Sequence, residues 1–203
     1  MYYFGFFVAR TALRLLGGKL VIENANKQLT TPYIVVCTHT TWLDILFLAF
    51  SLWPTPIFYM AKQELFKMKP IAYLLKKLNA FPVNRDNPGP SSLKIPLKLL
   101  KSGKVVGIFP TGTRTVEQTS LKRGAITIAM KSGAPILPAV YKGPLTFREL
   151  LKRKPIVIKF GDPITFQKEI KPNKEMIENK AYELQTIIKK LEESESTHTK
   201  DTN

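Results

Sequence analysis

The sequence is poor in the residues that build metal centres and covalent frameworks. It has one cysteine, Cys37, and two histidines, His39 and His198. A single cysteine excludes an internal disulfide framework and a multi-cysteine zinc site. His198 falls in the polar tail Ser194-Glu195-Ser196-Thr197-His198-Thr199, whose composition is that of a disordered terminus. His39 is therefore the histidine left for chemistry, and neither a metal nor a redox cofactor is expected. Long hydrophobic runs are also missing. The apolar N-terminus MYYFGFFVARTALRLLGG is interrupted by Arg10 and Arg14 and is too short to span a bilayer. No basic region precedes it and no small-residue cleavage site follows, so a secretory signal is not expected.

Acidic residues are scarce as well. There are 15 Asp and Glu against 31 Lys and Arg, a net charge of +16. Such a chain attracts nucleic acid, anionic lipid surfaces or phosphorylated ligands. The excess is spread along the chain, with groups over Lys62 to Lys77, Lys94 to Lys104, and Arg148 to Lys154. No recognition-helix or RNP-like pattern appears, so nucleic acid is not the expected partner. Charge alone selects no chemistry.

What is present reads as one α/β domain. Short β-branched runs such as Tyr33–Cys37, Ile57–Ala61, Ala80–Val83, Val105–Phe109, Ile136–Tyr141 and Ile156–Phe160 have the character of strands. Helical patterns separate them over Trp42–Leu52, Gln63–Leu78, Ser91–Lys101 and Leu121–Lys131, and a last helix runs from Lys174 to about Leu191. Pro96 predicts a kink or early break in the third of these. The alternation predicts a single domain with a mixed, largely parallel sheet flanked by helices. Residues 1–18 are read as a membrane-interface helix, 19–192 as the folded domain and 193–203 as a disordered tail. The interfacial reading rests on Phe4, Phe6, Phe7, Leu13, Leu15 and Leu16, with Arg10 and Arg14 four residues apart on one helical face. A helix packed on the core is the other reading.

Sites in such sheets gather where strands end, and two strand ends stand out. After Tyr33–Cys37 comes Thr38-His39-Thr40-Thr41-Trp42-Leu43-Asp44. A carboxylate five residues past the histidine, in the first turns of a helix, reaches one imidazole nitrogen and leaves the other to take a proton. A histidine held structurally by neighbouring hydroxyls is the alternative. After Val105–Phe109 comes Pro110-Thr111-Gly112-Thr113-Arg114, whose turn amides and guanidinium suit a phosphate. A solvated surface turn is the alternative there. Arg85 follows a third strand. Cys37 ends an apolar strand and is read as a small buried hydrophobe.

Taken together, these blocks resemble the 1-acylglycerol-3-phosphate acyltransferases and their glycerolipid acyltransferase relatives. HTTWLD is similar to that family's H-x-x-x-x-D motif, with Thr41 where serine is usual. NAFPVNR, ending in Arg85, FPTGTR, ending in Arg114, ILPAV with Pro138, and AKQEL with Lys62 resemble four further blocks in the same order. The match covers Tyr33 to about Tyr141. Three departures stand out: Thr38 replaces an asparagine, Asn79 a glycine, and Thr111 the glutamate of F-P-E-G-T-R.

The resemblance implies transfer of a fatty acyl group from acyl-CoA or acyl carrier protein to the free hydroxyl of 1-acylglycerol 3-phosphate. It implies phosphatidic acid as product and the cytoplasmic face of an anionic membrane as the workplace. His39 and Asp44 would be catalytic. Lys62, Arg85, Thr111, Gly112, Thr113 and Arg114 would hold the acceptor phosphate. Thr111 leaves open another lysophospholipid as acceptor, and a non-catalytic basic membrane-binding module is the rival from a different class.

Overall fold

The computed structural model describes residue 11 and residues 17–84, 89–110, 116–168 and 171–194, with the backbone alone over 116–121. Most of the expected N-terminal helix and of the expected tail lies outside the described residues. Seven strands form one sheet: β1 (Leu20–Glu23), β2 (Ile34–Cys37), β3 (Ile57–Lys62), β4 (Ala80–Val83), β5 (Val105–Ile108), β6 (Ile136–Lys142) and β7 (Ile156–Phe160). Their spatial order is β1-β7-β6-β2-β5-β3-β4. Strands β6, β2, β5, β3 and β4 are mutually parallel. Strand β7 runs antiparallel to β6, and β1 lies parallel to β7 at the edge. The sheet is thus mixed and largely parallel, as the alternation predicts.

Among the described residues, six helices flank the sheet: α1 (Trp42–Ser51), α2 (Lys69–Lys77), α3 (Ser91–Lys101), α4 (Val116–Ser132), α5 (Phe147–Leu150) and α6 (Lys174–Glu193). A 3-10 turn, Gln63–Lys67, precedes α2. Side chains alternate across the central strands, so each strand feeds two cores. Val35, Cys37, Val105 and Leu137 pack beneath α1 with Leu43, Phe47, Leu48 and Leu150. Ile34, Val36, Val106, Ile108 and Ile136 pack on the other side with Leu100, Ile126, Ala129, Leu184 and Ile188 of α3, α4 and α6.

Three boundaries differ from the sequence reading. Strand β1 was not anticipated, because Leu20–Glu23 is a short edge strand whose partner, Ile156–Lys159, is remote in sequence. Its entry needs Gly18, where a Cβ would collide with the carbonyl of Lys154. Helix α3 runs unbroken through Pro96, since that buried ring contributes to the packed face. Helix α4 starts at Val116, before the expected Leu121. The polar stretch there carries no apolar periodicity to mark the start.

Gly107 governs the packing at the centre of the sheet. It sits in β5 beside β3, and a Cβ there would lie 2.8 Å from the Tyr59 ring and 2.9 Å from Ile57. Its missing side chain lets the Tyr59 ring lie across the strand. Both neighbours are buried, so neither has room to yield. Gly107→Ala is therefore expected to cost roughly 1–3 kcal/mol through overpacking. Urea unfolding checks this, and an unchanged midpoint would show that the Tyr59 ring moves freely.

Candidate active site

The sheet order brings the singled-out segments to one edge. Strands β2, β5, β3 and β4 are neighbours and parallel, so Cys37, Ile108, Lys62 and Val83 all end on the same side. The chain leaves β2 for β3 and β4, returns to fill β5, then crosses to β6 on the other flank of β2. The C-terminal end of β2 thus lies where connections run to opposite sides, the usual place for a ligand crevice in open α/β sheets.

His39 lies just past β2, and α1 begins three residues later. The turn between them is held by one carboxylate. Asp44 Oδ2 accepts the amides of Thr40 at 2.8 Å and Thr41 at 3.0 Å. Asp44 Oδ1 lies 2.9 Å from His39 Nδ1. The Thr41 hydroxyl accepts from Leu43 N and completes a reciprocal capping box with Asp44. The carboxylate therefore does three things. It caps a helix, it complements the positive end of the helix dipole, and it anchors the imidazole. It is wholly inaccessible to solvent, whereas the His39 side chain is 27% exposed. Because the carboxylate accepts from three sides, Nδ1 carries the proton, and Nε2 is the nitrogen with an available lone pair.

Aromatic packing fixes the ring from another side. The Phe109 ring centroid is 5.5 Å from that of His39 and 5.7 Å from that of Tyr59. Tyr59 in turn donates its hydroxyl to the carbonyl of Ile45 in α1, at 3.3 Å. On the β6 side, Thr38 Oγ1 accepts the amide of Tyr141 at 3.4 Å.

Of the expected phosphate-binding residues, Lys62 ends β3, two strands from β2. Arg85, Thr111, Gly112, Thr113 and Arg114 lie outside the described residues. The strands before them, β4 and β5, end on the edge that carries His39. Cys37 is fully buried, and its thiol is pushed well above the ordinary range, by burial first and then by Asp44. The inert reading of that thiol fits its surroundings, since a buried thiol held protonated is a poor nucleophile.

One candidate was missed. Lys122, in the second turn of α4, is buried, and burial lowers its ammonium pKa against the opposing pull of Glu192. A buried cation is suited to an anionic ligand. In sequence, Lys122 is one of many lysines on a helix, and nothing local marks it as buried.

An open α/β sheet with a buried Asp orienting a part-exposed His at a strand end defines a class of group-transfer sites. The acyltransferase family profile matches residues 19–142, and the chain belongs to that family. It is similar to the 1-acyl-sn-glycerol-3-phosphate acyltransferase of Bacillus subtilis strain 168, 44% identical over 194 residues, which are 95% of this chain and 97% of that one. The protein of the same name from Streptococcus pneumoniae is 36% identical over 162 residues, 79% of this chain and 61% of that one. Among solved structures, the 1-acyl-sn-glycerophosphate (LPA) acyltransferase PlsC of Thermotoga maritima superposes with a TM-score of 0.62, covering 93% of this chain and 78% of that one. At 23% identity that likeness is one of fold.

The capping geometry gives Asp44 a structural role. Asp44→Ala leaves two amides and the ring N–H without their acceptor, and is expected to lose about 2–4 kcal/mol of stability. Thermal and urea unfolding measure this. A loss below about 1 kcal/mol would mean that water replaces the carboxylate.

Proposed function

We propose that this acyltransferase moves a fatty acyl group from an acyl thioester to the free hydroxyl of 1-acylglycerol 3-phosphate, giving phosphatidic acid. The observation that carries the chemistry is the 2.9 Å contact between His39 Nδ1 and the buried Asp44 carboxylate. The acceptor follows from the relatives named 1-acyl-sn-glycerol-3-phosphate acyltransferase.

With Nδ1 tied to Asp44, Nε2 takes the proton of the acceptor hydroxyl as the oxygen attacks the thioester carbonyl. The imidazolium so formed is stabilised by Asp44. The tetrahedral intermediate collapses by breaking the C–S bond, and Nε2 returns the proton to the leaving thiolate. The products are an ester and a free thiol. The residues need no acyl-enzyme, metal or redox group for this sequence; acyl-CoA or acyl carrier protein is the donor substrate. Lys62, Arg85 and Arg114, with Thr111 and the amides near Gly112 and Thr113, are assigned to the acceptor phosphate. Two interstrand spacings, about 10 Å, separate the ends of β2 and β3. A glycerol phosphate and a lysine side chain together bridge that gap.

The acceptor is a lipid, and the workplace proposed is the anionic cytoplasmic face of a membrane rather than nucleic acid. Among the described residues no helix is long and apolar enough to cross a bilayer. Residues 1–18 are proposed as an interfacial element and 193–203 as a tail beyond the domain.

Two measurements test this reading. His39→Ala is expected to lower kcat by at least about a thousandfold, the scale of removing a positioned base, in a protein that still folds. Near-normal turnover of radiolabelled acyl thioester by that variant would leave a non-catalytic membrane-binding module as the better account. The second measurement addresses Thr111, which stands where the family has glutamate; the rival reading takes it to make room for an acceptor whose phosphate carries a further headgroup. On that rival reading Thr111→Glu would shift the kcat/KM ratio towards lysophosphatidic acid and away from larger lysophospholipids by about tenfold, whereas on the reading proposed here the ratio is expected to stay unchanged. An unchanged ratio would show the threonine to be neutral and favour the phosphatidic acid product.

A further inference from the structure

Large apolar side chains exposed to solvent are not scattered over this domain. Eleven are exposed among the described residues, and six of them occupy the elements that directly follow the C-terminal ends of β2, β3 and β6. They are Trp42 after β2, Leu65 and Met68 after β3, and Leu145, Phe147 and Leu151 after β6. In the sheet, β6 lies on one side of β2, and β3 lies beyond β5 on the other. The apolar groups therefore stand on both flanks of His39, around the mouth of the site. A concentration of this kind marks a surface that meets a partner.

The segment after β6 is built to hold its side chains outward. The Tyr141 hydroxyl donates to the carbonyl of Pro144 at 2.8 Å. Gly143 fits against the same ring, where a Cβ would lie 2.7 Å from the hydroxyl. Thr146 Oγ1 accepts the amide of Glu149 at 3.2 Å, and Glu149 Oε2 accepts that of Leu145 at 2.8 Å. From Leu145 to Lys154 only Leu150 is driven into the core, at 1% exposure. With the turn pinned at these points, Leu145, Phe147 and Leu151 are left 54%, 46% and 50% exposed. A flexible loop folds its apolar groups away from water, and this one is held so that it does not.

Charge identifies the occupant. Arg148, Lys152 and Lys154 lie among these side chains, and Lys67 and Lys69 lie beside Leu65 and Met68 on the opposite flank. Apolar side chains interleaved with Lys and Arg match an interface of buried acyl chains beneath anionic headgroups. The route of the chain agrees: Gly18 packs against Lys154, so β1 is entered from this same edge. We propose that Leu145–Lys154 is a membrane-docking element separate from the N-terminus. Together with the Leu65–Lys69 flank, it seats the C-terminal edge of the sheet on an anionic bilayer, so that the lipid acceptor reaches His39 from the bilayer side. This rests on the reading of the acceptor as a lipid.

The test uses the full chain and vesicles of phosphatidylcholine with and without phosphatidylglycerol. Leu145→Ser/Phe147→Ser/Leu151→Ser is expected to lower partitioning onto anionic vesicles by at least about tenfold at both low and high salt, because the lost contribution is apolar. Arg148→Gln/Lys152→Gln/Lys154→Gln is expected to lower it by about fivefold per charge, at low salt only. Both variants should transfer acyl groups to lysolipid in detergent micelles at the wild-type rate. They should lose rate only when the acceptor sits in vesicles. That micellar assay separates the two ideas: an inactive wild type there would defeat the assigned reaction, not the docking. Partitioning unchanged in both variants overturns the docking element. So does a wild-type dimer in lipid-free solution that the serine variant dissociates, since a second copy would then be what covers this face.

Discussion

Everything at the site hangs on one buried carboxylate. Asp44 has no contact with solvent, yet it accepts from two backbone amides and faces a ring nitrogen. Burying a carboxylate is costly unless its lone pairs are met, and here the folded turn meets them. The turn cannot form in this shape without the carboxylate, and the carboxylate cannot be buried without the turn. Helix start, loop conformation and imidazole orientation are thus one structural event. The tautomer of His39 is settled by the same contacts that start α1.

The sheet performs the second task, which is to collect residues from distant parts of the chain. Parallel strands deliver their following turns to one edge, and the order β2-β5-β3-β4 sets four such turns side by side. Close packing beneath this edge carries precision to the site. Gly107 admits the Tyr59 ring, Tyr59 braces Phe109 and the α1 backbone, and Phe109 flanks His39. These contacts hold the imidazole in one orientation.

The edge combines two properties that water does not favour together. Lys62 ends one of the strands that reach it. Its rim exposes Trp42, Leu65, Met68, Leu145, Phe147 and Leu151. A substrate with a charged head and long apolar chains presents the same pair of properties in reverse. The +16 net charge, which by itself selects no partner, acquires a direction once the rim is seen.

How much was legible in the sequence depends on the range of the forces involved. The contact between His39 and Asp44 could be read from five residues of spacing, because a strand end, a tight turn and a helix start leave few geometries. The β-branched runs announced six strands for the same local reason. Strand β1 was hidden, since its apolar character looks like the end of a helix and its pairing is made with residues near the opposite terminus. Pro96 read as a break because propensity is local, while burial of its ring in a packed face is not. Local patterns thus account for the His39–Asp44 contact at the end of β2 and for the alternation that makes an α/β sheet. Which strands are neighbours, the burial of Lys122, and the meeting of apolar side chains from three separate loops at one edge are outcomes of the assembled fold. Those outcomes depend on contacts between residues far apart in the chain, and no local pattern encodes them.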